Sequence, residues 1–241
     1  MVDPISYLTL SYSCEASVVD SGMLVAMIEK TQAVVGGKLE RVLADGTYCT
    51  ILDLSDAIER KIDLVAPVSD CKTQRCGTAR NGEAQIPRDE FSYNAERNSF
   101  VCPQGHELPY KDREKVFRAD GRFVYRSRYQ CDVATCQACP LAERCLAGRG
   151  GRAIKRSEGE ELLVAQKEKM ETEEAKAYYA LRGQSVELTF ADAKGNRAHD
   201  RFHGRGLDRV RAETGLVILA KDLFRVDRLQ RNTVTPEKQA A

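Results

Sequence analysis

Residues 41–67 read RVLADGTYCTILDLSDAIERKIDLVAP, and this stretch decides the fold class. Arg41-Val-Leu-Ala-Asp45 is a short apolar run that closes on a carboxylate and a glycine, the pattern of a buried strand running into a turn. Thr50 to Lys61 places Ile51, Leu54 and Ile58 at helical spacing, so a helix is predicted with those three on one apolar face. Ile62-Asp-Leu-Val-Ala-Pro67 reads as the next strand. Helix and strand in alternation predict an α/β sheet with parallel neighbours.

Towards the N-terminus, Met23, Leu24, Met27 and Ile28 have helical spacing. Asp20 is placed as the N-cap of that helix, and Gly36-Gly37 ends it. Tyr7 to Cys14 alternates loosely, as a strand does. Towards the C-terminus, residues 69–90 are polar, with Gly77, Gly82 and Pro87, and read as a loop. Residues 91–150 hold short strand-like pieces such as Phe123-Val-Tyr-Arg126, together with most of the cysteines, and read as an insertion with its own framework. Helical signals return at Ser157, which forms an S-x-x-E capping-box pair with Glu160 ahead of Leu162, Leu163 and Met170. Thr172-Glu-Glu opens a second helix with acids in its first turn. A last helix runs from Leu207 to about Leu229, carrying Val210, Leu216, Val217, Leu219, Ala220 and Leu223. Residues 231–241 read as a disordered tail.

A hydrophobic fraction of 42% supports a core, and 30% charged residues suit a soluble chain. No apolar run is long enough to span a bilayer, and the start has neither the basic nor the apolar region of a signal peptide, so a cytoplasmic location is expected. The net charge of +1 is unevenly spread. Arg144–Arg156 and Lys194–Arg211 are basic, and Glu158–Glu174 between them is acidic. A basic stretch of this kind suits a phosphate backbone, although any charge run also serves as a solvated face.

Nine cysteines under reducing conditions, and an odd count, argue against a disulfide framework. Cys131, Cys136, Cys139 and Cys145 have the spacing C-x4-C-x2-C-x5-C, and Cys102 lies upstream in Val-Cys-Pro-Gln-Gly-His. Tetrahedral zinc needs four convergent soft ligands, and a Cys-x2-Cys knuckle gives two from one turn. Zinc on four of these five cysteines is expected, with Cys136, Cys139 and Cys145 the firmest and His106 a weaker candidate. Four thiolates leave no open position, so the metal is structural. Cys14, Cys49, Cys71 and Cys76 read as buried thiols without metal.

Two local patterns hold carboxylates. Asp45, after a buried strand and before Gly46, sits where α/β sheets bind ligands, although capping the turn at Gly46 explains it equally well. Tyr179-x2-Arg182-x4-Glu187-x6-Lys194 places Glu187 and Lys194 seven apart, on one helical face, with Val186 and Phe190 beside the glutamate.

As a set, these motifs resemble the insertion-sequence DDE transposases. Those proteins have an RNase H-like fold in which two aspartates and a glutamate hold two magnesium ions. Their second aspartate sits in a segment similar to Ala44-Asp45-Gly46-Thr47-Tyr48. One large group carries Y-x2-R-x3-E-x6-K, which Tyr179, Arg182, Glu187 and Lys194 match with one extra residue between arginine and glutamate. Arg201-Phe-His-Gly-Arg-Gly-Leu-Asp-Arg-Val and the Cys-rich Cys139-Pro-Leu segment also resemble the family, so the likeness covers about residues 20–228. It implies two-metal phosphoryl transfer on the DNA ends of a transposon. Asp45 and Glu187 would be catalytic and hold magnesium. Tyr179, Arg182, Lys194 and Arg201 would contact DNA, Arg197 and Arg205 would extend the basic surface, and an active form would be a homo-oligomer.

The expected fold is then α/β, a partial RNase H-like transposase catalytic core with a small Cys-rich zinc-type insertion. Residues 1–90 form the first half of the core, 91–150 the insertion, 151–230 the helical second half with the catalytic glutamate, and 231–241 the tail. The family's first aspartate has no counterpart. Asp3 lacks a strand and Asp20 is read as a cap, so a truncated copy without strand-transfer activity is expected. The competing function is a zinc-stapled nucleic-acid-binding protein without catalysis. The two differ in whether Asp45 and Glu187 meet.

Overall fold

The computed structural model describes residues 1–16, 22–68, 77–118, 121–197 and 199–234. The chain divides into two compact units, one built from Met1–Pro67 and Leu163–Ala241, the other from Val68–Leu162. The expected disorder of residues 231–241 concerns mostly positions outside the described residues, as do Asp20, Cys71 and Cys76.

The first unit opens with an irregular segment. Tyr7–Cys14 forms no strand, and the one pairing there is an isolated bridge between Val2 and Thr9. Helix α1 (Leu24–Val35) buries Leu24, Ile28 and Thr31 on one stripe. Its N-cap position is Met23, without a side-chain bond, and it ends on Gly36 at φ 71°, a left-handed conformation that glycine adopts without Cβ strain. Strand β1 (Arg41–Leu43), helix α2 (Ile51–Glu59) and strand β2 (Asp63–Val65) follow, and β1 pairs with β2 in parallel, Val42 opposite Leu64. The expected parallel α/β unit is therefore present. Thr50 starts α2 with a reciprocal capping box to Asp53. Ile51, Leu54 and Ala57 are buried, but Ile58, expected on the same face, is 60% exposed.

The second unit is a five-stranded antiparallel sheet in sequential order: β3 (Ser92–Asn94), β4 (Ser99–Val101), β5 (Glu107–Phe117), β6 (Phe123–Gln130) and β7 (Ala153–Ser157). Two short helices, α3 (Val133–Gln137) and α4 (Ala142–Cys145), lie between β6 and β7. The core joins Ile86, Phe91, Phe100, Leu108, Tyr129, Leu146 and Ile154 to Cys131 and Cys136, with Cys102 and Cys145 packed against it.

Helix α5 spans Glu160–Glu171. Glu160 accepts the Ser157 N–H at 3.0 Å, but it is the first helical residue, so the pair closes the turn ahead of the helix instead of forming a capping box within it. The buried residue of α5 is Gln166, whose amide donates to Leu64 O at 3.1 Å and Ala66 O at 2.9 Å. Val65 O faces β1, accepting from Ala44 N, so the carbonyls on either side of it point away, and Gln166 satisfies them. Lys169 adds a bond to Leu64 O at 2.8 Å.

Helix α6 (Glu173–Arg182) starts at Thr172, whose hydroxyl accepts from Ala175 N. The helical path continues through a π-turn at Gly183–Glu187, one α-turn, α7 (Leu188–Ala191), and a second π-turn at Asp192–Asn196. Helix α8 runs Leu207–Val234, beyond the expected end. Residues 6–15 are tied to it: Thr9 N–H donates to Asp222 at 3.1 Å, Lys221 to Thr9 Oγ1 at 2.8 Å, and Arg225 to Ser6 O at 2.7 Å. Leu216, Leu219 and Leu223, expected on an apolar face, are exposed. Among the described residues no helix is long and apolar enough to cross a membrane.

Candidate functional site

Asp45 follows β1 directly and opens the 3-10 turn Gly46–Tyr48, with Oδ1 accepting the Thr47 N–H at 2.7 Å. The turn-capping role is thus real. It uses one carboxylate oxygen and leaves the other turned elsewhere. Asp45 Oδ2 lies 3.6 Å from Arg182 Nη2, and Glu187 Oε1 lies 3.1 Å from Arg182 Nη1. One guanidinium at the end of α6 therefore faces a carboxylate from the end of β1 and another from the helix beyond it.

The π-turn explains the second contact. Five residues of α-helix rotate the chain by about 500°, leaving side chains about 140° apart around the axis. An i→i+5 turn narrows that gap and brings the side chain at i+5 round towards the one at i. Arg182 and Glu187, five apart across Gly183–Glu187, meet because of it. That turn accommodates the four residues between Arg182 and Glu187. Lys194 fares differently. The α-periodicity behind its shared face with Glu187 stops at Asp192, where the second π-turn begins. Lys194 is exposed, Tyr179 is half-buried and Arg201 is exposed. It is Tyr178 that stacks, with the Arg41 guanidinium 3.8 Å from its ring centre. Arg197, expected on the basic surface, is bonded to Asp192 at 2.6 Å. Asp3 accepts hydrogen bonds from Ser6 in a local turn.

The five cysteines share one neighbourhood in the second unit. Burial, then the neighbouring Cys136 and Cys102 thiols, push Cys131 up to about 12. Burial also raises Cys145, with Cys136, Cys139 and Cys102 adding to it and Arg152 opposing. Backbone N–H groups point at two sulfurs, Arg152 N to Cys136 Sγ and Leu141 N to Cys139 Sγ, both at 3.4 Å. The cysteines are reduced, and His106 is exposed beyond the core. Among the described residues, however, no three His, Cys, Asp or Glu side chains converge as a metal-binding group. The thiols gather without closing a tetrahedron, and the two carboxylates meet on Arg182 without a third acid beside them among the described residues.

Sequence reasoning missed Arg152. Its guanidinium donates to Ile86 O at 2.7 Å and Cys145 O at 3.1 Å, which places a positive charge beside the thiols. The basic run 144–156 was read as surface, yet Arg156 pairs with Glu161 and Lys155 with Glu114. Also missed is one face of β5 and β6, where Arg113 lies over Tyr125 at 3.5 Å, Lys115 over Phe123 at 4.8 Å, and Phe117 packs edge-on against Phe123. The period-two alternation of 113–127 carried that signal.

The family model of the transposase DDE domain matches residues 101–226. That span includes the cysteine group, Arg182, Glu187, Lys194 and Arg201, and it begins after Asp45. No curated protein and no solved structure matches the chain. With just over half of its 241 residues matched, and with the arginine–glutamate pair inside the matched span, the chain belongs to the transposase DDE-domain family.

Proposed function

We propose that this chain serves DNA transposition as the catalytic scaffold of an insertion-sequence transposase, with Asp45 and Glu187 as the carboxylates that hold magnesium. The observation that carries the reading is their meeting on one guanidinium from two separate elements. A non-catalytic nucleic-acid-binding protein gives no reason for that convergence. Magnesium, when bound, would supply charge neutralisation at a transferring phosphate and a more acidic attacking water or hydroxyl. The chain's own residues hold the carboxylates, and Lys194, Arg201 and Arg205 offer exposed cations to the DNA backbone. Among the described residues no third carboxylate joins the pair, so DNA processing by this chain alone is not expected.

The test is iron-mediated cleavage of the polypeptide. Ferrous iron bound in place of magnesium cuts the backbone beside its ligands in the presence of peroxide and ascorbate. Cuts are expected near both residue 45 and residue 187, suppressed by magnesium and lost in Asp45→Asn and in Glu187→Gln. Cuts at one position alone, or cuts that survive both substitutions, would remove the reading.

The same proposal includes one structural zinc held by four of Cys102, Cys131, Cys136, Cys139 and Cys145. It is supported by their gathering around one core and by the two N–H groups aimed at sulfur. Zinc would draw the thiols inward and offset the upward push that burial puts on Cys131 and Cys145, since a bound thiolate is deprotonated. Elemental analysis of purified protein is expected to give about one zinc per chain. Metal-free protein with all nine thiols open to titration would rule it out.

A further inference from the structure

We infer that Arg182 is a positioning residue that occupies the place of the divalent cation between Asp45 and Glu187, and that a cation binds there only by displacing it. The inference rests on reading the two carboxylates as the metal-holding pair.

Geometry is the first argument. Two different guanidinium nitrogens face the two carboxylates, Nη2 towards Asp45 Oδ2 at 3.6 Å and Nη1 towards Glu187 Oε1 at 3.1 Å. A planar fork can bridge two acids at once, whereas the compact ammonium of lysine acts as a point charge. Asp45 is held from its other side by the Thr47 N–H, and Glu187 is brought round by the π-turn. Both acids therefore converge on the arginine.

Charge is the second argument. Two carboxylates and one guanidinium leave a single net negative charge, which still attracts a cation. A divalent ion added with the arginine in place would make the cluster net positive. With the arginine withdrawn the cluster is neutral, so the two cations exclude one another. Exposure allows the exchange. The Arg182 side chain is 22% exposed, Asp45 40% and Glu187 65%, so the guanidinium has a path to solvent and its ion pairs are of the weak, solvent-screened kind.

The experiment is a manganese titration of the full-length chain, followed by the electron paramagnetic resonance signal of free Mn2+, with far-UV circular dichroism confirming the fold of each variant. Arg182→Gln is expected to tighten Mn2+ binding by about tenfold, the scale set by releasing two exposed ion pairs. Arg182→Lys, which keeps the charge and loses the fork, is expected to fall between the wild type and Arg182→Gln. The gain in each must vanish when Asp45→Asn or Glu187→Gln is added. Unchanged or weaker binding in Arg182→Gln overturns the inference while leaving the carboxylate site standing. Absence of any binding that depends on Asp45 and Glu187, in every variant, overturns both this inference and the metal reading beneath it.

Discussion

At the scale of single residues, the clearest outcome is that polar side chains close backbone groups and tie elements together. Thr50 is the simplest case. Its hydroxyl accepts the Asp53 N–H at 3.2 Å while Asp53 accepts the Thr50 N–H at 3.3 Å, so two donors that a helix start leaves open are satisfied together. Thr50→Ala is expected to destabilise the fold by about 1 kcal/mol, read from the urea midpoint. Asp63 joins β2 to α5 through Lys169 and to its neighbour strand through Arg41. Burial alone would raise its carboxyl, but the bonds from Lys169 and Arg41 outweigh that and hold it below its ordinary value. A carboxyl depressed in the folded state adds stability above its unfolded pKa of about 3.9, and that stability is lost as pH falls through the folded value. Asp63→Asn should therefore lower the urea midpoint at neutral pH and flatten its decline on acidification. A midpoint that still falls as steeply in the variant would assign the acid sensitivity elsewhere.

At the scale of elements, two features position the candidate site. The first is the seal on the outer side of β2. A two-stranded sheet leaves main-chain groups unpaired on each flank, and Gln166 answers for two of them on β2. Gln166→Leu keeps the volume close and removes both bonds, leaving carbonyls buried without partners. The expected cost is about 1–3 kcal/mol in equilibrium unfolding, and a neutral result would mean that the strand edge reaches water. The second feature is the interrupted helix from α6 through α7. Its first π-turn converts a spacing that does not fit an α-helix into an ion pair between Arg182 and Glu187. Counting residues on an ideal helix loses this relation, since such a spacing looks like a mismatch until the turn that accommodates it is seen.

At the scale of the whole molecule, a net charge of +1 hides a strongly uneven distribution. Much of the basic character is neutralised internally. Arg126 and Lys155 pair with Glu114, Arg128 with Asp112, and Arg156 with Glu161. In the last basic run Lys194, Arg201, Arg205, Arg209 and Arg211 are exposed, and of these Arg209 pairs with Glu213 and Arg211 with Glu15. Affinity for duplex DNA is accordingly expected to fall steeply as salt rises, and Arg201→Ala should reduce the slope of log affinity against log salt by about one. Fluorescence anisotropy across a salt series measures it. An unchanged slope would take Arg201 off the phosphate path.

Local chemistry was legible in the sequence by itself. The parallel strand–helix–strand unit, the glycine stop at Gly36, the helix starts near Thr50 and Thr172 and the gathering of cysteines all follow from patterns spanning a few residues. Such patterns work because backbone donors and apolar stripes impose the same demands in any fold. The strand expected at Tyr7–Cys14 failed because that segment spends its hydrogen bonds on α8, more than 190 residues away. Ile58 came out exposed because, among the described residues, none covers that side of α2, a matter of packing rather than period. Whether Asp45 is a turn cap or part of a site was undecidable locally, since both uses place the same residue after the same strand. Only the tertiary structure brings Arg182 and Glu187 to it, because the distance across β1 and a π-interrupted helix depends on how those elements pack.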